Sequence, residues 1–224
     1  MSRKYKEIYN KSINSREEFW KNISEDIFWY KKPTKILNSS NPPFYKWFED
    51  GVTNTCYNAL DHHIDQGRGE KLAIIYDSPI TGTQKKISYN ILRDKVALFA
   101  GALKKQGINK GDRVIIYMPM IPEAVIAMLA CGRIGAVHSV VFGGFAANEL
   151  ASRIDDSKAK LIVSASCGYE PGRTVHYKPL VNKALELASH KPNKCIIFQR
   201  EKDKAELNPT MDITWDDAHK DVQP

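Results

Sequence analysis

Two short segments of this chain hold residue types that could meet an anion. Gly143-Gly144-Phe145 follows an apolar run, Val137 to Phe142, and precedes a helical pattern that starts near Ala146 or Ala147. Glycine has no Cβ, so backbone there can approach a ligand closely, and the free N–H groups of the following helix favour negative charge at the same point. A plain tight turn between strand and helix uses the same residues, and the spacing is not the G-x-G-x-x-G of dinucleotide sites. Glu170-Pro171-Gly172-Arg173 stands just past another apolar run, Leu161 to Val163. Pro and Gly force a turn, so Arg173 projects from a fixed position. Its guanidinium matches phosphate oxygens in bidentate fashion, and His176 and Lys178 add local positive charge. A surface loop with a solvated arginine fits that pattern equally well.

Other chemistry-bearing patterns are weaker. Thr81 to Lys86 has the glycine, hydroxyl and lysine content of a phosphate cradle, but lacks the G-x-x-x-x-G-K-[ST] spacing and precedes a strand, so it reads as a hairpin turn. His62 and His63 are adjacent on a helical pattern and point in different directions. No Ser–His–Asp set and no paired carboxylates can be assigned as a catalytic group.

The elements that would position these segments are an alternation of strands and helices. Leu72 to Tyr76 and Lys86 to Tyr89 read as a hairpin across a turn at Asp77 to Thr83. Ser88 then caps a helix with apolar positions Leu92, Val96, Phe99 and Leu103, ended by Gly107. Val114 to Tyr117 is a strand, and Pro122 opens a helix running to about Arg133. Val137 to Phe142 is a strand, followed by a helix through Leu150 and Ile154. Leu161 to Val163 is a strand, Pro179 to about Ala188 a helix, and Cys195 to Phe198 a strand. Four apolar strands alternating with helices predict an α/β fold, a parallel sheet flanked by helices. Ligands of such sheets sit beyond the carboxyl ends of the strands, where the Gly143-Gly144 turn and the segment Ser164 to Arg173 fall.

The first third differs. Ser15-x-x-Glu18 has capping-box spacing and opens a helix through Phe19, Trp20, Ile23 and Ile27. Phe28-Trp29-Tyr30, Pro33, and Asn41-Pro42-Pro43 before Phe44, Tyr45, Trp47 and Phe48 make an irregular, aromatic-rich helical arm. Cys56 to Ile64 resumes a helical pattern. After Arg200 the chain is polar, with Ile213 and Trp215 as candidates for a short strand.

Composition narrows the partners. The formal charge is +7 over 224 residues, with 42% hydrophobic residues. The cations are interspersed with Asp and Glu, even near Arg3, Lys4, Lys6 and Lys11, where Glu7 interrupts them. That pattern speaks against nucleic acid and suits an anionic small molecule. Cys56, Cys131, Cys167 and Cys195 lack zinc or C-x-x-C spacing, and Cys131 and Cys195 sit in apolar runs, as buried thiols of a reducing compartment do. No apolar run reaches membrane-spanning length and no secretory pattern opens the chain, so a cytoplasmic setting is expected, with the mitochondrial matrix as the alternative.

Taken together, Tyr117-Met-Pro-Met-Ile-Pro122, Ile134-Gly-Ala136 with His138-Ser139, and Phe142-Gly-Gly-Phe145 resemble the acyl-adenylating family that makes acyl-CoA from a carboxylate, ATP and CoA. The likeness covers essentially the whole chain. It marks residues 1–64 as an N-terminal extension of the acetyl/propionyl-CoA synthetase type and 65–224 as the first part of the AMP-binding, adenylate-forming domain. Ile74-Ile-Tyr-Asp-Ser-Pro79 and Glu170-Pro-Gly-Arg173 look closer to propionyl-CoA than to acetyl-CoA synthetase.

The resemblance implies a two-step reaction, in which the carboxylate attacks the ATP α-phosphate and the CoA thiol then displaces AMP. It places Phe142, Gly143 and Gly144 near the CoA nucleotide, and Glu170, Pro171, Gly172 and Arg173 beside the CoA 3′-phosphate, with Arg173 as the cation. The acetate branch usually has Arg where Glu170 stands, which removes one positive charge there. The family's Ser/Thr/Gly-rich, Lys-containing loop for ATP phosphates belongs shortly after Trp215, beyond Pro224, as do the Mg and acyl sites and the small C-terminal domain. The expectation is therefore an N-terminal portion of a propionate- or acetate-CoA ligase, inactive without the missing C-terminal part. The alternative is a non-catalytic remnant that binds CoA or a nucleotide, or serves interaction alone.

Overall fold

The computed structural model describes residues 3–144 and 146–223. The chain divides into two compact units, Met1–Asn58 and Ala59–Pro224.

The first unit holds helices α1 (Arg3–Asn14) and α2 (Arg16–Ser24) and a two-stranded antiparallel pair, β1 (Leu37–Asn38) and β2 (Lys46–Trp47). Helix α1 is an addition to the sequence reading, for its Tyr5, Ile8 and Tyr9 have helical i, i+3, i+4 spacing inside a lysine-rich run that reads as solvated charge. Ser15 occupies the N-cap position of α2 but its side chain makes no capping hydrogen bond. The helix stops at Ser24 and not near Ile27, because the N–H groups of Glu25, Asp26 and Ile27 turn back to carbonyls three residues earlier. Aromatic packing organises the rest. Trp20 meets Trp47 edge-on at 6.0 Å, Trp29 packs on Phe48 at 5.6 Å, and Trp29 Nε1 donates to the Ser24 carbonyl at 2.8 Å. A π-helical turn, Tyr57–Asp61, lies where a helical pattern is predicted over Cys56 to Ile64, and a second, Ile64–Arg68, runs on past it.

In the second unit, after these turns, comes a hairpin of β3 (Leu72–Ser78) and β4 (Thr83–Ser88), followed by α3 (Tyr89–Lys105). Ser88 caps α3, accepting the Ile91 N–H at 3.4 Å, as predicted. The chain then alternates β5 (Arg113–Tyr117), α4 (Pro122–Ile134), β6 (Val137–Val141), α5 (Ala147–Ser157) and β7 (Leu161–Ala165). A second hairpin, β8 (Cys167–Glu170) and β9 (Arg173–His176), precedes α6 (Tyr177–Leu187), β10 (Lys194–Phe198), β11 (Asp212–Thr214) and α7 (Trp215–Ala218).

The five-stranded sheet has the order β11-β10-β7-β5-β6 and is parallel throughout. Alternation along the strands sends Ile115, Tyr117, Ile162, Cys195 and Ile197 into one core with Leu150 and Ile154 of α5 and Val181 and Ala184 of α6. Val114 and Ile116 point the other way. That side is covered by α3 and α4, whose Leu92, Val96, Phe99, Leu103, Ala127 and Ala130 are buried. Apolar residues on both faces of the central strands are what a sheet covered on two sides requires.

Two details depart from the sequence reading. Ser164 to Arg173 is not a loop, since β7 continues to Ala165 and the β8–β9 hairpin follows. Ile213 lies in a fifth strand, whereas Trp215 starts α7 and stacks on Phe99 with ring centroids 4.0 Å apart. The side chain of Lys178 is buried against Asp212 at 2.8 Å, tying α6 to edge strand β11. All four cysteines are free and buried, and burial pushes the Cys131 and Cys195 thiols up to about 12, which keeps them protonated. No helix among the described residues is long and apolar enough to cross a membrane.

Candidate functional site

Both anion-directed segments lie past the carboxyl ends of sheet strands. Val141 ends β6, and Phe142, Gly143 and Gly144 form the turn into α5, which starts at Ala147. Phe142 is 68% exposed. Phe145 lies outside the described residues. The reason for glycine at 143 is visible in the packing: a Cβ there would come within 2.1 Å of Tyr177 Oη. A Cβ at Gly144 would meet the Phe142 ring at 2.8 Å. Close side-chain packing thus accounts for the pair on its own, and it also keeps the turn low beside whatever approaches it.

The second segment is the tip of the β8–β9 hairpin. Glu170 and Arg173 are directly paired across it, with Pro171 and Gly172 as the two-residue loop. Gly172 has φ +76°, the left-handed conformation that a type II turn requires after its proline and that glycine adopts without strain. Arg173 Nε and Nη2 both donate to Glu170 Oε2 at 2.6 Å. The pair is well exposed, 71% for the arginine side chain and 43% for the glutamate. Arg173 therefore stands where the Pro-Gly turn predicts, but with a carboxylate of its own chain on it. His176, at the other end of β9, faces Asp203 at 3.5 Å. Lys178 is buried in its ion pair with Asp212, so it adds no charge to the hairpin surface.

A residue absent from the sequence reading joins the two segments. Tyr177, the first residue of α6, is 5% exposed. Its hydroxyl end lies against Gly143, and its ring edge lies 2.7 Å from where a Cβ at Gly168 of β8 would be. Tyr117 of β5 packs edge-on against it at 5.0 Å and donates to the Gly143 carbonyl at 3.5 Å. Burial raises both phenols, Tyr117 to about 12, so both remain proton donors at neutral pH. The detectable signal was glycine at 143 and 168 with tyrosine at 177, whose meaning depends on a crossover that brings them together.

Among the described residues no group of three His, Cys, Asp or Glu side chains is placed to hold a metal ion. The assembled parts are an exposed cation on a hairpin tip, a glycine turn at the end of β6, and a buried tyrosine that packs against both Gly168 of the hairpin and Gly143 of the turn. They can position a phosphate-bearing ligand.

Comparison with known proteins gives a consistent picture. The family model described as AMP-binding enzyme matches residues 60–224, and that described as acetyl-coenzyme A synthetase N-terminus matches residues 5–59. The human mitochondrial acyl-CoA synthetase short-chain family member 3 is 50% identical over 98% of this chain and 32% of its own length. An uncharacterized protein of Pseudomonas aeruginosa is 52% identical over 98% of this chain and 35% of its length. The acetyl-coenzyme A synthetase of Streptomyces coelicolor is 42% identical over 95% and 31%. The solved structure of acetoacetyl-CoA synthetase from Streptomyces lividans superposes with a TM-score of 0.84 over 96% of this chain and 32% of that one, at 22% identity, and so speaks for the fold. The chain spans about a third of the length of the curated relatives it matches.

Proposed function

This chain belongs to the AMP-binding enzyme family, and on that premise we propose that it forms the CoA-facing part of an AMP-forming acid–thiol ligase acting on a short carboxylate, propionate or acetate. In this reading residues 1–64 are the N-terminal extension and 65–224 the first part of the adenylate-forming domain. Phe142, Gly143 and Gly144 border the CoA nucleotide, and the Glu170–Arg173 hairpin tip borders its 3′-phosphate. The observation that carries the reading is the exposed guanidinium of Arg173 on a two-residue turn, at the tip of a hairpin whose Gly168 packs against the same Tyr177 as Gly143.

The chemistry divides accordingly. ATP and Mg supply activation of the carboxylate in the complete reaction, and adenylation depends on positioned charge at the phosphates. The residues described here supply recognition of the second substrate. Arg173 contributes a bidentate donor. Glu170 competes for that donor in the free protein, so binding exchanges one exposed ion pair for a contact with a doubly charged phosphate. Residues 1–224 alone are then expected to give no propionate- or acetate-dependent ATP–pyrophosphate exchange, and measurable exchange would overturn that division.

The site itself is tested by comparing CoA with 3′-dephospho-CoA. The chain should prefer CoA by about tenfold, and Arg173→Ala should abolish the preference. Equal affinity for the two ligands in the unsubstituted chain would refute the 3′-phosphate role.

A further inference from the structure

A second cleft, of about 210 Å³, opens at the carboxyl ends of β5 and β10. Its walls are the β3–β4 hairpin, the start of α4, Tyr169 of β8, and the segment Phe198 to Lys202. Three cations line it: Lys85, Arg200 and Lys202. None of the three makes an ion pair among the described residues, in contrast to Arg133, Lys160, Arg173 and Lys178. We propose that this cleft binds a phosphate-bearing small anion, at a place separate from the Glu170–Arg173 hairpin tip.

Arg200 is held before any ligand arrives. Arg200 N–H donates to Ser166 Oγ at 2.9 Å, and Ser166, itself buried, donates to the Asp203 carbonyl at 2.7 Å. The Gln199 side chain closes the same loop, donating to the Ala205 carbonyl and accepting the Ala205 N–H, each at 2.9 Å. The Arg200 guanidinium lies 4.6 Å over the Tyr169 ring, which fixes its plane and leaves its N–H edge for an oxyanion. Lys85 stands opposite Tyr76 in the β3–β4 register, on the same face as Thr83. These cleft residues supply hydroxyl donors beside the ammonium.

Charge and geometry both favour an anion. Glu123 and Glu201 also line the cleft. Glu123 sits in the first turn of α4, where the positive end of the helix offsets it. Three cations face two carboxylates, so the cleft keeps an excess of positive charge, to which the end of α4 adds. Tyr169 and Glu170 are neighbours on β8, so their side chains leave opposite faces of the hairpin. The cleft and the hairpin tip are therefore two places, not one. This inference does not rest on the proposed CoA contact of Arg173.

The test titrates the 224-residue chain with inorganic pyrophosphate by calorimetry. Binding should appear in the millimolar range or tighter. Lys85→Gln and Arg200→Gln should each weaken it about tenfold, and Lys183→Gln, an exposed cation of α6 outside the cleft, should leave it unchanged. Lys85→Gln changes an exposed hairpin side chain, so it reports on the site even if the Arg200 variant proves unstable. A competition arm with CoA identifies the source of the phosphate. Displacement of pyrophosphate assigns the cleft to a nucleotide's phosphates and a lack of displacement to free polyphosphate, and the site stands in both cases. Absence of binding, indifference to Lys85→Gln, or an equal loss on Lys183→Gln would overturn the proposal.

Discussion

Arg173 Nη2 lies 2.6 Å from Glu170 Oε2 across a two-residue turn, so the most exposed cation of the candidate CoA site is already paired within its own hairpin. Exposed pairs of this kind contribute about 0–1 kcal/mol to stability. Glu170→Gln should therefore leave the urea midpoint nearly unchanged. It should tighten CoA binding about threefold by releasing the guanidinium and removing a like charge from the phosphate. The gain should shrink at high salt, where screening weakens both effects. Calorimetric titration at two ionic strengths checks this, and unaltered affinity at low salt would show that Glu170 does not compete.

The contact of Tyr177 with Gly143 makes a second expectation. Adding a methyl group at Gly143 places carbon 2.1 Å from the Oη of Tyr177, whose ring is buried. Gly143→Ala should cost about 1–3 kcal/mol by overpacking. Tyr177→Phe removes the nearest atom but leaves ring carbon 2.9 Å away, so the double variant should recover only part of the loss. Additive losses in the two-variant cycle would place the strain elsewhere.

How far such relations were legible depends on their range along the chain. The α/β alternation, the four central strands and the apolar stripe Leu92, Val96, Phe99, Leu103 followed from local periodicity, and each of those four residues is buried. The turn at Pro171-Gly172 was also local. The hairpin around it was obscured because Cys167 to Glu170 and Arg173 to His176 are only four residues each and mix polar with apolar types. Lys178 illustrates the longer range. Beside Arg173 and His176 it reads as surface charge, and only the pairing of β11 with β10 brings Asp212 to it. Tyr177 between Gly143 and Gly168 has the same character, for nothing local distinguishes it from any aromatic at a helix start.

Lys178 and Asp212 form the most buried ion pair among the described residues, with side-chain exposures of 3% and 0%. Lys178 also donates to Asn182 Oδ1, and Asp212 Oδ2 accepts the Asn208 N–H at 2.7 Å. Lys178→Met leaves a carboxylate buried without its cation and should destabilise the chain by about 3–5 kcal/mol. Lys178→Met with Asp212→Leu removes both charges and should restore much of that loss. Denaturant unfolding of the three proteins decides it, and a double variant as unstable as the single one would count against a charge-burial cause.

Acid stability should carry the mark of Asp112. Its carboxylate pairs with Lys160 at 2.7 Å and accepts the Asn109 N–H at 2.9 Å, and these contacts hold its pKa below the usual 3.8. A group with a depressed folded-state value contributes stability that is fully present above its unfolded value and is lost as pH falls through the folded one. The contribution should thus be intact at neutral pH and disappear below the ordinary aspartate range. Asp112→Asn should lower stability at neutral pH and flatten the acid limb of the urea midpoint against pH. Parallel acid limbs in the two proteins would assign that limb to other carboxylates.

Among the described residues strand β6 is an edge of the parallel sheet, paired on one side only, with β5. Its Val137 and Val140 are 52% and 54% exposed. A strand edge carrying β-branched apolar side chains and unpaired N–H and C=O groups is a template for pairing with another chain. Self-association of the 224-residue chain is therefore expected to rise with concentration through this edge. Val140→Lys places on it a charge that two facing copies would both have to bury, while the core side of the strand, represented by Val141 at 1% exposure, stays as it is. Light scattering should show the lysine variant monomeric at concentrations where the unsubstituted chain associates, with the two unfolding at nearly the same urea concentration. If the unsubstituted chain stays monomeric throughout, or if the variant associates equally, pairing at β6 is not the route.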